Sequence, residues 1–201
     1  MSGFDELFEK AKLFFDTDSI LPLSGNWAKW FHSGIPDEPE NVRIEKRKEA
    51  AMQGHCLECT SMSGCYFTNG ERTFPKYPHH PKCHCKKLKE NPVSVVSNCV
   101  IDKFTKFIFS DNVRAKEKRF LFENVFGYTI DDSGYLQSEY VRQAKEKYIS
   151  GDYTLGLLNE YGQRINITID LDSRTQGKVK IVSEWMVKPG GLITCNSPLG
   201  G

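Results

Sequence analysis

The sequence predicts an α+β fold: a helical, cysteine-rich first part, then helices packed on a small antiparallel sheet. Three observations carry this. The stretch SGYLQSEYVRQAKEKYIS opens at Ser133, has a helical period and stops at Gly151. Beyond it the period changes to two, with Ile165, Ile167 and Ile169 alternating with Asn166, Thr168 and Asp170. The turn-forming stretches DSRTQGK and KPGG then separate that strand from a second, holding Val179, Ile181, Trp185 and Val187, and a third at Leu192 to Cys195. Helices followed by a strand meander make an α+β domain.

The remaining elements follow in chain order. Phe4, Leu7, Phe8, Ala11 and Phe15 fall on one helical face, with Asp5, Glu6 and Glu9 suiting its N-terminal end. Trp27, Trp30 and Phe31 of NWAKWFH are expected to dock on a core. A polar helix follows over Glu40 to Gln53, its Lys46, Arg47 and Lys48 reading as a solvated face. From Cys56 to Pro92 the chain is rich in Gly, Pro, Cys and His, which predicts loop with one small hairpin. Lys89 to Asn98 reads as a linker, so the expected units are 1–92 and 97–201. In the second, Val100, Phe104, Phe107 and Ile108 suggest a helix capped by Ser97 or Asn98. NVRAKEKRFLFENVFGY suggests another, ending near Gly127.

Composition sets bounds on function. The chain has 201 residues, 39% of them hydrophobic and 26% charged, with a formal net charge of +1. No global field favours nucleic acid or a membrane surface, so any such case must rest on local patches. There is no apolar run of about 18 residues, and the N-terminus has no secretory pattern. The expectation is a cytosolic, reducing environment without membrane partners, where clustered cysteines favour metal over disulfides.

The segment from Gly54 to Lys87 holds five of the seven cysteines and four of the five histidines. Cys56 and Cys59 form a CxxC; after 23 intervening residues Cys83 and Cys85 form a CxC. Two short-spaced pairs joined by a loop let four thiolates converge tetrahedrally, the arrangement a structural Zn²⁺ takes. His79, His80 or His84 could replace one cysteine. Free thiols and a disulfide or redox pair are the competing readings. A closed four-cysteine shell leaves no position for a reacting water. Between Arg72 and Lys89 lie six basic residues and no acidic one, interleaved with Phe74 and Tyr77. That suits either a phosphate-contacting surface or compensation for thiolate charge.

CxxC followed by HPKCHC resembles the cysteine-rich tail of phage head-morphogenesis (Mu F-like) minor capsid proteins, over Gly54 to Leu88. The larger helical body of that family is not evident. The segment after it, GQRINITIDL and then KIVSEWMVKPGGLITCNSPLGG, resembles the C-terminal strands of the barnase–EndoU–colicin–RelE-like toxin nucleases, over Asn98 to Gly201. These resemblances imply a phage- or mobile-element-associated ribonuclease-like toxin carrying a structural zinc module. They imply RNA as substrate, an immunity or phage structural protein as partner, and the bacterial cytoplasm or the virion as location. A non-enzymatic zinc-containing adaptor or virion accessory protein, binding protein or nucleic acid, is the alternative.

Metal-independent RNA cleavage needs a base, an acid and donors for the charged phosphorane. No histidine follows His84, so other side chains on one sheet face must serve. Arg164 is the candidate phosphate clamp, with Ser183 and Thr194 as donors. Tyr161 or Trp185 could stack on a base, and Lys103 and Lys106 could contact the strand. Glu184 stands where the resembling domains carry a small residue. An enzyme predicts that Arg164, Ser183 and Thr194 converge in one cleft with a basic rim; an adaptor predicts a flat or apolar exposed face with scattered polar residues, and a virion part self-association or a long unpaired edge.

Overall fold

The computed structural model describes residues 23, 25–35, 40–111 and 115–200, and its fold is α+β. The helix expected over Phe4 to Phe15 lies outside the described residues. Two sheets organise the chain, a three-stranded one in the order β2-β1-β3 and a five-stranded one in the order β4-β8-β7-β6-β5.

The larger sheet follows from the period-two pattern. Strand β6 (Gly162–Ser173) pairs antiparallel with β7 (Gly177–Lys188) from Arg164↔Met186 to Ser173↔Gly177. Their odd-numbered residues Ile165, Ile167, Ile169, Ile181 and Trp185 are buried. Gly177, at φ +75°, takes the turn conformation a side chain would resist. β8 (Leu192–Ser197) adds antiparallel to β7 after the expected turn, and β5 (Thr154–Asn159), which alternation did not flag, adds to β6. β5 was obscured because its residues are half-exposed on both faces. The supposed linker ends in a short strand, β4 (Val96–Asn98), parallel to β8. Ser97 and Asn98 are thus strand residues rather than helix caps, and Ser97 Oγ donates to Val141 O at 2.5 Å.

Helix α1 (Glu40–Met52) forms where its polar pattern placed it, and α2 (Leu57–Ser61) is a single turn in the cysteine-rich segment. The helix expected from Val100 is one π-helical turn, Lys103–Ile108, closed by Phe109 N donating to Phe104 O at 2.9 Å. The wider turn lets Phe104, Ile108 and Phe109 all reach the core, while Val100 and Phe107 stay exposed. α3 (Lys116–Phe120) runs into a second π-helical turn that ends before Gly127. α4 (Ser133–Ser150) buries Leu136, Tyr140, Ala144 and Tyr148, four residues apart along one stripe, and ends at left-handed Gly151.

The smaller sheet replaces the expected loop. β1 (Trp27–His32) is flanked by β2 (Tyr66–Thr68) and β3 (Cys85–Leu88), both antiparallel to it. Trp27 and Trp30 are fully buried and Phe31 partly so. Strands of three or four residues show no periodicity, so β1 acts as the template that the cysteine-rich segment pairs with. Buried residues of both sheets belong to one apolar cluster, from Trp27 and Phe67 to Tyr148, Ile165 and Trp185. Tyr148 Oη donates to Tyr66 O, and the Trp27 and Tyr148 rings meet edge-on at 5.3 Å.

Candidate metal centre

Cys56 occupies the N-cap position of α2 and Cys59 lies in its first turn, so the CxxC spacing puts both sulfurs on one side of a short helix. A turn closed by Cys83 N donating to His80 O at 3.1 Å leads into β3, where Cys85 faces His32 of β1. The chain segments around the two pairs thereby converge. Cys59 Sγ lies 3.5 Å from Cys83 Sγ, and Cys59, Cys83 and Cys85 form one group whose ligand atoms all lie within 4.8 Å of one another. Cys56, Cys59 and His80 form a second such group, as do Cys56, Glu58 and His79. Cys59 thus joins all four predicted cysteines, and these groups are close enough to hold a metal ion.

The electrostatics suit that role. Burial and a hydrogen bond from Cys56 Sγ to Glu58 Oε2, at 3.0 Å, push the Cys56 thiol up to about 12. The hydrogen bond with Cys85, together with burial, raises Cys59 further. Crowded thiols resist ionising because each thiolate would face another; a divalent cation supplies the missing charge. His80 Nε2 is buried without a hydrogen-bond partner, as expected of a nitrogen aimed at an ion. His84 instead meets His55 edge-on at 5.4 Å, and His55 meets His32 edge-on at 5.0 Å, which sets His84 apart from the three candidate groups. Cys65 is also apart, buried with its Sγ toward Val187 O.

In the basic stretch both aromatic rings pack against Trp30, Phe74 buried and Tyr77 partly exposed. Phe74 is buried, stacks on Trp30 at 5.9 Å and carries Lys87 Nζ 4.1 Å from its centroid. Tyr77 packs edge-on against Trp30, and its hydroxyl donates to Cys85 O at 3.1 Å, tying the loop to the strand that carries Cys85.

The residues singled out in the second half divide between two faces of the larger sheet. Ser183 is fully buried among the isoleucines; its Oγ donates to Ile167 O at 2.8 Å and accepts from Trp185 Nε1 at 2.7 Å. Trp185 is core rather than a base platform. Arg164 and Thr194 both pair with Met186 in the register and therefore share the opposite face. The three do not converge. Arg164 is held by Glu184 at 3.0 Å, Asn196 Nδ2 also donates to that carboxylate, and Lys103 Nζ reaches Asn196 O at 2.8 Å. Glu184 and Asn196 were missed as a group because only cross-strand pairing brings them to Arg164. Lys106 is spent on Asp102 at 2.8 Å, and Tyr161 is 64% exposed in the β5–β6 turn.

No protein-family model, curated protein or solved structure matches the chain. Among the described residues, no helix is long and apolar enough to cross a membrane.

Proposed function

We propose that this chain is a zinc-stapled module of phage or mobile-element origin that acts by binding rather than by catalysis, its metal serving structure. The grouping of Cys56, Cys83, Cys85 and His80 around Cys59 carries the reading. Sulfur-rich tetrahedral sites select zinc, and a shell of four cysteines closes it to water. His80 stands ready as the alternative fourth ligand. The separation of Ser183 from Arg164 and Thr194 supports an adaptor over an enzyme. The test is elemental analysis of the purified chain alongside RNA integrity in cells expressing it. The expected result is a single zinc ion per chain, lost in Cys59→Ser, with RNA intact. A metal-free folded chain would remove the zinc reading.

A ribonuclease-like toxin is the second reading, favoured by the linked Arg164, Glu184, Asn196 and Lys103 beside Thr194. Glu184 would accept the proton of a 2′-hydroxyl as that oxygen bonds to the adjacent phosphorus, Arg164 and Lys103 would hold the phosphate, and the P–O5′ bond would break with the departing oxygen protonated by water. Growth arrest with RNA breakdown, relieved by Arg164→Ala, would favour this reading over the adaptor.

A further inference from the structure

Cys99 and Cys195 lie outside the candidate metal centre and meet on the larger sheet. Strands β4 and β8 run parallel, with Ser97 opposite Ile193 and Asn98 opposite Thr194, so one further step sets Cys99 beside Cys195. Ser97, Cys99, Ile193 and Cys195 are all buried, and the residues between them are not. Both thiols therefore point to one face of the sheet, the face that α4 covers. That helix fixes the pair in place. Gln137 Nε2 donates to Cys99 O at 2.7 Å, and the fully buried Tyr140 donates its hydroxyl to Pro198 O at 2.9 Å. The two sulfurs are close enough for a hydrogen bond between the thiols. Neighbouring strands stand about 4.8 Å apart, inside the roughly 4.4–6.8 Å between α-carbons that a disulfide spans. Both cysteines are free thiols, and neither belongs to the groups around Cys59.

A buried cysteine by itself is a small apolar side chain, but two in contact can be joined. We propose that Cys99 and Cys195 are a modification site, forming under hydrogen peroxide a reversible disulfide that latches β4 to β8. One Sγ attacks a peroxide oxygen as the O–O bond breaks, giving a sulfenic acid and one water. The other Sγ then bonds to the sulfenic sulfur and expels its oxygen as a second water. Two S–H bonds are lost, and the two electrons pass to the peroxide. Cys195, 7% exposed against 1% for Cys99, is the sulfur that meets the oxidant first. The hydrogen bond with Cys99, together with burial, holds the Cys195 thiol well above its ordinary range, with Lys103 opposing more weakly. Oxidation is therefore slow, and the pair responds to sustained rather than passing exposure. The bond would secure the shortest strand of the larger sheet. β4 has three residues, forms the edge and pairs with β8 alone. It also carries the chain out of the cysteine-rich segment, so the latch ties that exit to the last strand. Closing a loop of almost a hundred residues restrains the unfolded chain strongly. The inference stands whichever reading of function holds.

The test uses the full chain, purified reduced with zinc in the buffer and then treated with hydrogen peroxide. Remaining thiols are alkylated, and the digest is mapped by mass spectrometry. The expected result is a crosslinked pair of peptides carrying Cys99 and Cys195, about two mass units lighter than the reduced pair and separated again by dithiothreitol. That readout is specific to this pair, whatever becomes of the cysteines of the candidate metal centre. The oxidised chain should also melt several degrees above the reduced one, a rise absent from Cys99→Ala and from Cys195→Ser treated in parallel. Recovery of Cys99 and Cys195 as separate alkylated thiols, after exposure that oxidises other cysteines, would overturn the proposal. So would sulfinic or sulfonic acid on Cys195 beside an untouched Cys99, because a thiol within reach intercepts the sulfenic acid. A crosslink that leaves the melting temperature where it was would overturn the latch.

Discussion

The two sheets reach stability by different routes. The larger one has two strands of 12 residues, a row of buried isoleucines and an 18-residue helix sharing its core. The smaller one has strands of three to six residues, and its third strand, Cys85–Leu88, buries only Cys85. The first has enough apolar surface, at about 1.5–3 kcal/mol per buried large side chain, to order itself. The second packs Trp27, Trp30 and Phe67 from within and carries at its edge cysteine groups close enough to hold a metal ion. Where apolar periodicity is absent, a metal ion can take over its work.

The largest test of this contrast is metal removal. Chelation or Cys59→Ser should release residues 56–88 to fast hydrogen exchange while α4 and β6–β7 stay protected, at a cost on the order of 4 kcal/mol or more. Equal loss of protection in both regions would show that the smaller sheet is no separate metal-dependent unit. Next comes Trp185→Ala, which removes a fully buried ring and leaves Ser183 Oγ without its donor. It should cost about 3–5 kcal/mol in denaturant titration, and a cost near zero would show that the ring is not part of the core of the larger sheet. Gly151→Ala is expected to cost about 1–2 kcal/mol by thermal melting, since φ is +77° and the new Cβ would sit 3.0 Å from Thr68 Oγ1.

The smallest effect concerns acid. Lys147, 2.6 Å from Asp170, holds that carboxyl below its ordinary value, and Arg142 does the same for Glu139. Both folded values lie below the unfolded ones, near 3.9 and 4.3, so the contribution is full above about pH 5 and fades as pH falls through the depressed values. Lys147→Met should flatten that slope for the larger sheet in melts taken between pH 5 and 2. An unchanged slope would place acid sensitivity elsewhere.

Much of the larger sheet and its helix was legible. Ser133, Gly151, the isoleucine alternation and the two turn stretches each act through neighbours close in sequence, so composition and period reveal them. β4 and β5 were not legible: β4 lies parallel to a strand almost a hundred residues away, and β5 pairs through half-exposed residues. At the candidate metal centre the cysteine spacings pointed to the residues that the structure groups closely enough to hold an ion, but that His80 rather than His84 joins them depended on which histidine the turn before β3 delivers to Cys59.

The sequence by itself determined the α+β class, the span of the long helix, the strand pair that follows it and the cysteine set. All of these rest on local periodicity, capping and spacing. Tertiary structure alone decided that Ser183 points into the core while Arg164 does not, that Glu184 and Asn196 join Arg164, and that Cys99 lies beside Cys195. The reason is geometric. Strand register and helix packing bring together side chains that are remote along the chain, and no local pattern encodes which of them will meet.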